Sequence, residues 1–204
     1  MGAPNLDNEI CPTLVPVPTR PPQAGAGFDR AGFDRDCMAV ALEEARIAFA
    51  EDEVPIGAVI FAPPRAEGEG GPILARAHNR TRASGDPTAH AELFAIREAA
   101  RAIGYERLEG CSLYTTLEPC IMCAGALLHA RIERVLFGAR DPKFGGVVSL
   151  FSVFDARAAN HRVRWEEGCL AEEARAILRD FFRNKRRARG GQEETDDVER
   201  WQSG

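Results

Sequence analysis

Cys120 and Cys123, in the run Pro119-Cys120-Ile121-Met122-Cys123, constrain this chain more than any other feature, and they are read together with His90-Ala91-Glu92 upstream. Cysteines at i and i+3 are neighbours on one helical turn, so both sulfurs can reach a single ion, and a helix N-terminus favours their thiolate form. That arrangement is half of a tetrahedral zinc site. His90 supplies a third ligand, while Glu92 is a carboxylate two residues further on that the metal does not need. Three protein ligands leave one coordination position for water, which is the pattern of a catalytic rather than a structural zinc. Two other readings of Cys-x-x-Cys compete with this one: a redox pair and a structural zinc knuckle. The redox reading gives His90 and Glu92 no role, and the structural reading needs a fourth ligand, for which Cys111 is the nearest candidate.

Composition sets the frame for that chemistry. The chain has 204 residues, 45% hydrophobic and 28% charged, which suits one globular domain with an ordinary core. No apolar run approaches the roughly 18 to 20 residues of a membrane span, and the N-terminus lacks the basic start and apolar stretch of a signal peptide, so no membrane association and a cytoplasmic location are expected. The 6 cysteines include one metal-motif pair and isolated thiols, which fits a reducing compartment. The net charge of −5 conceals an uneven distribution. Arg179, Arg183, Lys185, Arg186, Arg187 and Arg189 cluster near the end of the fold, and Glu193, Glu194, Asp196, Asp197 and Glu199 follow them. Such a basic cluster is an electrostatic footprint for phosphates, with a solvated helix face as the bland alternative.

Along the chain, residues 1–33 form a Pro/Gly-rich arm expected to be disordered, ending in the duplication Ala26-Gly27-Phe28-Asp29-Arg30 and Ala31-Gly32-Phe33-Asp34-Arg35. A domain over 34–189 follows, and an acidic tail over 190–204 is expected to be disordered as well. Within the domain the pattern predicts a helix from Asp34 or Asp36 to about Asp52, a strand over Ile56–Phe61, and an antiparallel partner from Ile73 to about Ala77. Asp86-Pro87-Thr88 predicts a helix start, with the helix stopping at Gly104 and His90 in its first turn. A strand over Ser112–Leu117, a helix from Cys120 to about His129, and a strand over Glu133–Gly138 predict parallel neighbours with the metal at the strand ends. An edge strand at Val163–Trp165 and a last helix from Ala171 to about Arg189 complete the α/β pattern.

The His-x-Glu and Pro-Cys-x-x-Cys combination is the signature of zinc-dependent nucleobase deaminases. More closely, the chain resembles the bacterial tRNA-specific adenosine deaminases from about Asp36 to Arg189. The resemblance rests on Asp86-Pro87-Thr88-Ala89-His90-Ala91-Glu92, on Thr116 through Ala126, on Phe137-Gly138-Ala139-Arg140-Asp141-Pro142-Lys143, and on Asn160-His161-Arg162-Val163 with Phe181-Phe182-Arg183. It implies a three-layer α/β/α cytidine-deaminase-like fold with a mixed, about five-stranded sheet. It also implies a homodimer, one zinc per chain, and conversion of the wobble adenosine of a tRNA anticodon to inosine. Activated water would attack C6 of adenine, with Glu92 carrying protons to N1 and to the departing ammonia. By position, His90, Cys120 and Cys123 would hold the metal. Asn79 and Ala91 would meet the flipped base, Asp141 the sugar of a flanking nucleotide, and Phe182 and Arg183 the RNA. Phe181 and Phe182 face about 100° apart on a helix, so one is expected in the core and the other near the anticodon loop. His78, His129 and His161 read as structural or interface residues. Where relatives carry Gly-x-x-Gly-Ser-Leu, this chain has Gly145-Gly146-Val147-Val148-Ser149-Leu150. A deaminase of free guanine or cytosine shares the zinc motif but has no use for a basic terminal helix, and a zinc-stabilised RNA-binding module would not need Glu92.

Overall fold

A computed structural model describes residues 29–63, 71–155 and 160–188. Most of the N-terminal arm, the acidic tail, Arg189 and the centre of the loop between the first two strands lie outside the described residues.

The first helix, α1, spans Arg30–Ala50 and so begins within the stretch read from sequence as the arm. The cause is local: the Asp29 side chain accepts the Gly32 N–H at 3.0 Å and caps the helix from inside the duplicated segment. Buried Cys37, Met38, Ala41, Leu42, Ala45 and Ala48 recur at helical spacing and form its inner face. Strand β1, Gly57–Phe61, is buried along its whole length and pairs antiparallel with β2, Ile73–His78, on one side and β3, Ser112–Leu117, on the other. Strand β4, Arg134–Ala139, runs parallel to β3, and β5, Arg164–Glu167, runs parallel to β4 at the edge. The sheet is therefore mixed and five-stranded, in the order β2-β1-β3-β4-β5.

Helix α1 and the last helix, α5 over Ala171–Ala188, cover one face, where Phe49 and Phe181 meet edge-to-face at 5.6 Å. Helix α3, Ala91–Ile103, and α4, Ile121–His129, cover the other. Ala95 and Ala99 of α3 and Ala124 and Leu127 of α4 share a core there with Ile60, Leu113, Val135 and Phe137. These layers give the cytidine-deaminase-like α/β/α fold. No helix among the described residues is long and apolar enough to cross a membrane.

The structure departs from the sequence pattern at one helix start. Asp86-Pro87-Thr88 does not begin a helix; Asp86 Oδ1 accepts the Thr88 N–H at 2.7 Å and its hydroxyl at 2.6 Å, closing a turn instead. A short helix α2, Thr81–Ser84, precedes that turn, and α3 begins only after His90. Its end at Gly104, in the left-handed conformation, agrees with the sequence. Lys185 is drawn away from the solvent-facing cluster, since it pairs with Asp52 beyond α1 and lies over the Phe181 ring.

Candidate active site

His90 and Cys120 each occupy an N-cap, one at the start of α3 and the other at the start of α4, rather than positions inside the helices. Cys123 lies in the first turn of α4. Two helix N-termini thus converge at the ends of β2 and β3, where their partial positive charges favour thiolates. His90 Nδ1 lies 3.6 Å from Cys120 Sγ and 3.5 Å from Cys123 Sγ. Nitrogen and sulfur ligands at about 2.0 and about 2.3 Å from one ion, subtending a tetrahedral angle, would be separated by about 3.5 Å, so the trio is set for zinc. It is the one such group among the described residues, and Cys111 is not part of it. Cys111 is buried just before β3, and the strand separates it from Cys120 by roughly 20 Å of extended chain.

Protonation in the trio follows from mutual contact. The Cys123 thiol donates to Cys120 and, with His90, holds the Cys120 pKa down to about 4 against the effect of burial. The same thiolate, with burial, pushes Cys123 up. His90 is raised chiefly by its contact with Cys120.

Glu92, in the first turn of α3, is 3% exposed, and its Oε2 is buried without a hydrogen-bond partner among the described residues. Burial raises its pKa to about 7. A carboxyl group poised near neutrality with one unsatisfied oxygen suits repeated proton transfer. Asn79 follows β2, and its Oδ1 accepts the Ala91 N–H at 2.9 Å, which leaves the side-chain NH2 as its group for meeting a ligand. Ala91 itself is fully buried, and its N–H is engaged by Asn79.

These groups line one cavity of about 740 Å³, within the roughly 300–1,000 Å³ range of ligand sites. Val54, Ile56 and Leu117 give it an apolar floor near Glu92. One wall is the segment after β4, with Asp141, Phe144, Leu150 and Phe151. Asp141 Oδ1 accepts the N–H groups of Lys143 at 2.9 Å and Phe144 at 3.1 Å, so part of its carboxylate shapes that segment. Another part of the lining is a single stripe of α5: Arg175, Leu178, Arg179, Phe182 and Arg186.

The stripe resolves the phase of α5. Phe181 is in the core and Phe182 is on the cavity, in the division expected from their angle. Arg183, one residue further round, is exposed, pairs with Asp180 at 2.9 Å, and lies outside the cavity wall. Arg179 and Arg186 are on that wall, and both belong to the basic cluster that the sequence marks as a footprint for phosphates. Of the other histidines, His78 is buried between Glu44 at 2.9 Å and Glu51 at 3.1 Å, and His161 Nε2 contacts the Ile132 carbonyl at 2.7 Å. His129, at the end of α4, is exposed. Sequence reasoning also passed over Glu53 and Glu118. Glu53 accepts the N–H groups of Arg82 and Ala83 at 2.8 and 2.7 Å and so anchors α2, whose Thr81 lines the cavity. No periodicity marks such a residue; a buried acid beside a Pro or Val is the only cue.

Comparison with known proteins agrees with this geometry. The model of the MafB19-like deaminase family matches residues 34–186. The tRNA-specific adenosine deaminase of Aquifex aeolicus (strain VF5) is 52% identical over 149 residues, spanning 73% of this chain and 93% of that protein. A solved tRNA:A34 deaminase, described for A-to-I editing at the wobble position of transfer RNA, superimposes with a TM-score of 0.64 at 46% identity, covering 70% of this chain and 98% of that one. The guanine deaminase of Nitrosomonas europaea shares the fold with a TM-score of 0.65 but only 25% identity, over 88% of this chain and 98% of its own.

Proposed function

The chain belongs to the MafB19-like deaminases and, within them, to the tRNA-specific adenosine deaminases, and we infer that it hydrolyses adenosine to inosine at the wobble position of a tRNA anticodon. The observation that carries this over a free-base deaminase is the α5 stripe, in which Arg179 and Arg186 flank Phe182 on the cavity wall. A free base offers these cations no phosphate, whereas an RNA loop offers several, together with bases to stack on the aromatic ring.

His90, Cys120 and Cys123 fit zinc and are the residues that would hold it. The ion supplies Lewis acidity, which makes water a nucleophile near neutral pH. Glu92 takes a proton from the attacking water and passes it to N1 of adenine, then takes the proton of the hydroxyl added at C6 and gives it to the amino group, which leaves as ammonia while the C6 carbonyl forms. The Asn79 side-chain NH2 donates to an acceptor on the purine and sets its orientation. Asp141 sits on the wall beside the site and would hold the sugar of a flanking nucleotide. An anticodon base is already partly unstacked, so its extrusion into the cavity costs little. Phe182 would stack on RNA, and Arg183, on the outer flank of α5, would meet phosphate further from the base. Ala91 contributes through the close packing of the α3 start rather than through its N–H. We extend the proposal to a cytoplasmic homodimer on the strength of the family resemblance, for which light scattering on the purified protein is the direct test.

Turnover of a tRNA transcript, compared with free adenosine, guanine and cytosine, tests the substrate reading. Conversion confined to the transcript supports it, and efficient turnover of guanine overturns it.

A further inference from the structure

Glu118 stands between Leu117 of β3 and Pro119, next to the metal-binding Cys120, and is 2% exposed. Its Oε1 accepts the N–H groups of Val147 at 3.1 Å, Val148 at 2.8 Å and Ser149 at 2.9 Å. Oε2 accepts the Asp141 N–H at 3.0 Å and the Ser149 hydroxyl. A carboxylate has about four lone-pair sites, so this one is saturated and has no capacity left to move protons. Glu92, with an unpartnered oxygen in the same cavity, is its opposite.

The donors to Glu118 all come from the segment that forms one cavity wall. That segment also lies along the start of α4: the Gly146 N–H donates to the Pro119 carbonyl at 2.8 Å, and Gly145 bridges Cys120. A Cβ at Gly145 would lie 2.5 Å from the Glu118 carboxylate, and one at Gly146 would lie 2.7 Å from Cys120 backbone. The glycines therefore permit an approach that backbone amides complete, and the side chains of Val147 and Val148 are not read by the carboxylate.

We propose that Glu118 is a positioning residue for the substrate, fixing the 141–151 wall against Cys120 so that Asp141 and Phe144 meet RNA at the correct depth from the metal trio. This rests on the tRNA reading above. Glu118 thereby governs RNA affinity and does not act on the reacting atoms.

Glu118→Gln tests it. An amide nitrogen facing Ser149 can be accepted by the hydroxyl, but it then confronts the Asp141 N–H with another donor. The expected result is a KM for the tRNA transcript raised at least about tenfold, with kcat at saturation reduced less than about threefold and zinc content unchanged. Ser149→Ala removes one donor, from a residue of that segment that does not itself line the cavity, and should raise KM in the same direction by a smaller factor, which keeps the test decisive if Glu118→Gln does not fold. An unchanged KM in both variants, a fall in kcat alone, or loss of zinc would overturn the proposal. Failure of the parent protein to modify tRNA would instead overturn the substrate reading.

Discussion

Asn79 Oδ1 accepts the Ala91 N–H at 2.9 Å, so the residue that ends the β2 edge of the sheet also satisfies the first turn of the helix carrying Glu92. One side chain thus has a structural atom, Oδ1, and an NH2 that this contact does not use, and the two can be separated by substitution.

Asn79→Asp keeps the acceptor for Ala91 and replaces the amide NH2 with oxygen. We expect a melting temperature close to that of the parent and a kcat/KM on tRNA lower by roughly 10- to 100-fold, the usual range for a lost hydrogen bond to a bound group. Asn79→Ala should lower both. Thermal melts beside single-turnover assays would separate the two effects, and full activity in Asn79→Asp would remove the side-chain amide from substrate binding.

The metal set predicts a simple contrast. Cys111→Ala should retain one zinc per chain, whereas Cys123→Ala should lose it. Elemental analysis of the purified variants checks both, and zinc loss on removing Cys111 would point to a closed, four-ligand site.

The antiparallel hairpin, the parallel pair of strands and the meeting of His90, Cys120 and Cys123 were legible in sequence because each depends on local pattern: alternating or continuous apolar runs, Gly104 as a stop, and candidate ligands at fixed spacing. The pairing of β1 with β3, which sets the strand order, joins segments about 55 residues apart and leaves no such local mark. The start of α3 was not, because Asp86 has the composition of a helix cap but satisfies Thr88 in its own turn. Which arginines face the cavity was also hidden. Positions 182 and 183 differ by about 100° on the helix, and the phase is set only when Phe181 packs against Phe49. Glu118 was silent because its partners lie 23 to 31 residues away in sequence and act through backbone amides.

The phase of α5 decides which charge removals matter. Arg179→Ala combined with Arg186→Ala should weaken tRNA binding and flatten its salt dependence by about 0.7 to 0.9 of a slope unit per lost phosphate contact. Arg183→Ala combined with Arg187→Ala, on the outer face, should have the smaller effect. Filter binding from low to physiological salt would read both, and equal slopes in the two double variants would contradict the assignment.

A buried ion pair sets a pH limit on stability. Arg134 donates to Asp34 at 2.8 and 2.7 Å, and the Tyr114 hydroxyl donates to it at 2.6 Å. Burial alone would raise Asp34, but these hydrogen bonds outweigh it and hold the carboxyl below its ordinary value of 3.8. Because the folded value lies below the unfolded one, this stabilisation is fully present above the unfolded value and is lost as pH falls through the folded one. Asp34→Asn should cost about 3 kcal/mol at pH 7, near the low end for a broken buried pair because Glu166 still contacts Arg134. The gap between variant and parent should narrow as pH falls through the folded pKa of Asp34, and denaturant titrations at pH 7 and at the acid edge of stability would show it.

Inosine at the wobble position of a full tRNA transcript, quantified after incubation with the parent and with Glu92→Ala, tests the whole account most directly. The expected result is inosine at that one adenosine with the parent, and formation slower by ~10²- to 10⁴-fold or more with Glu92→Ala while zinc and fold are retained. No inosine from the parent, or comparable rates from the two proteins, would contradict it.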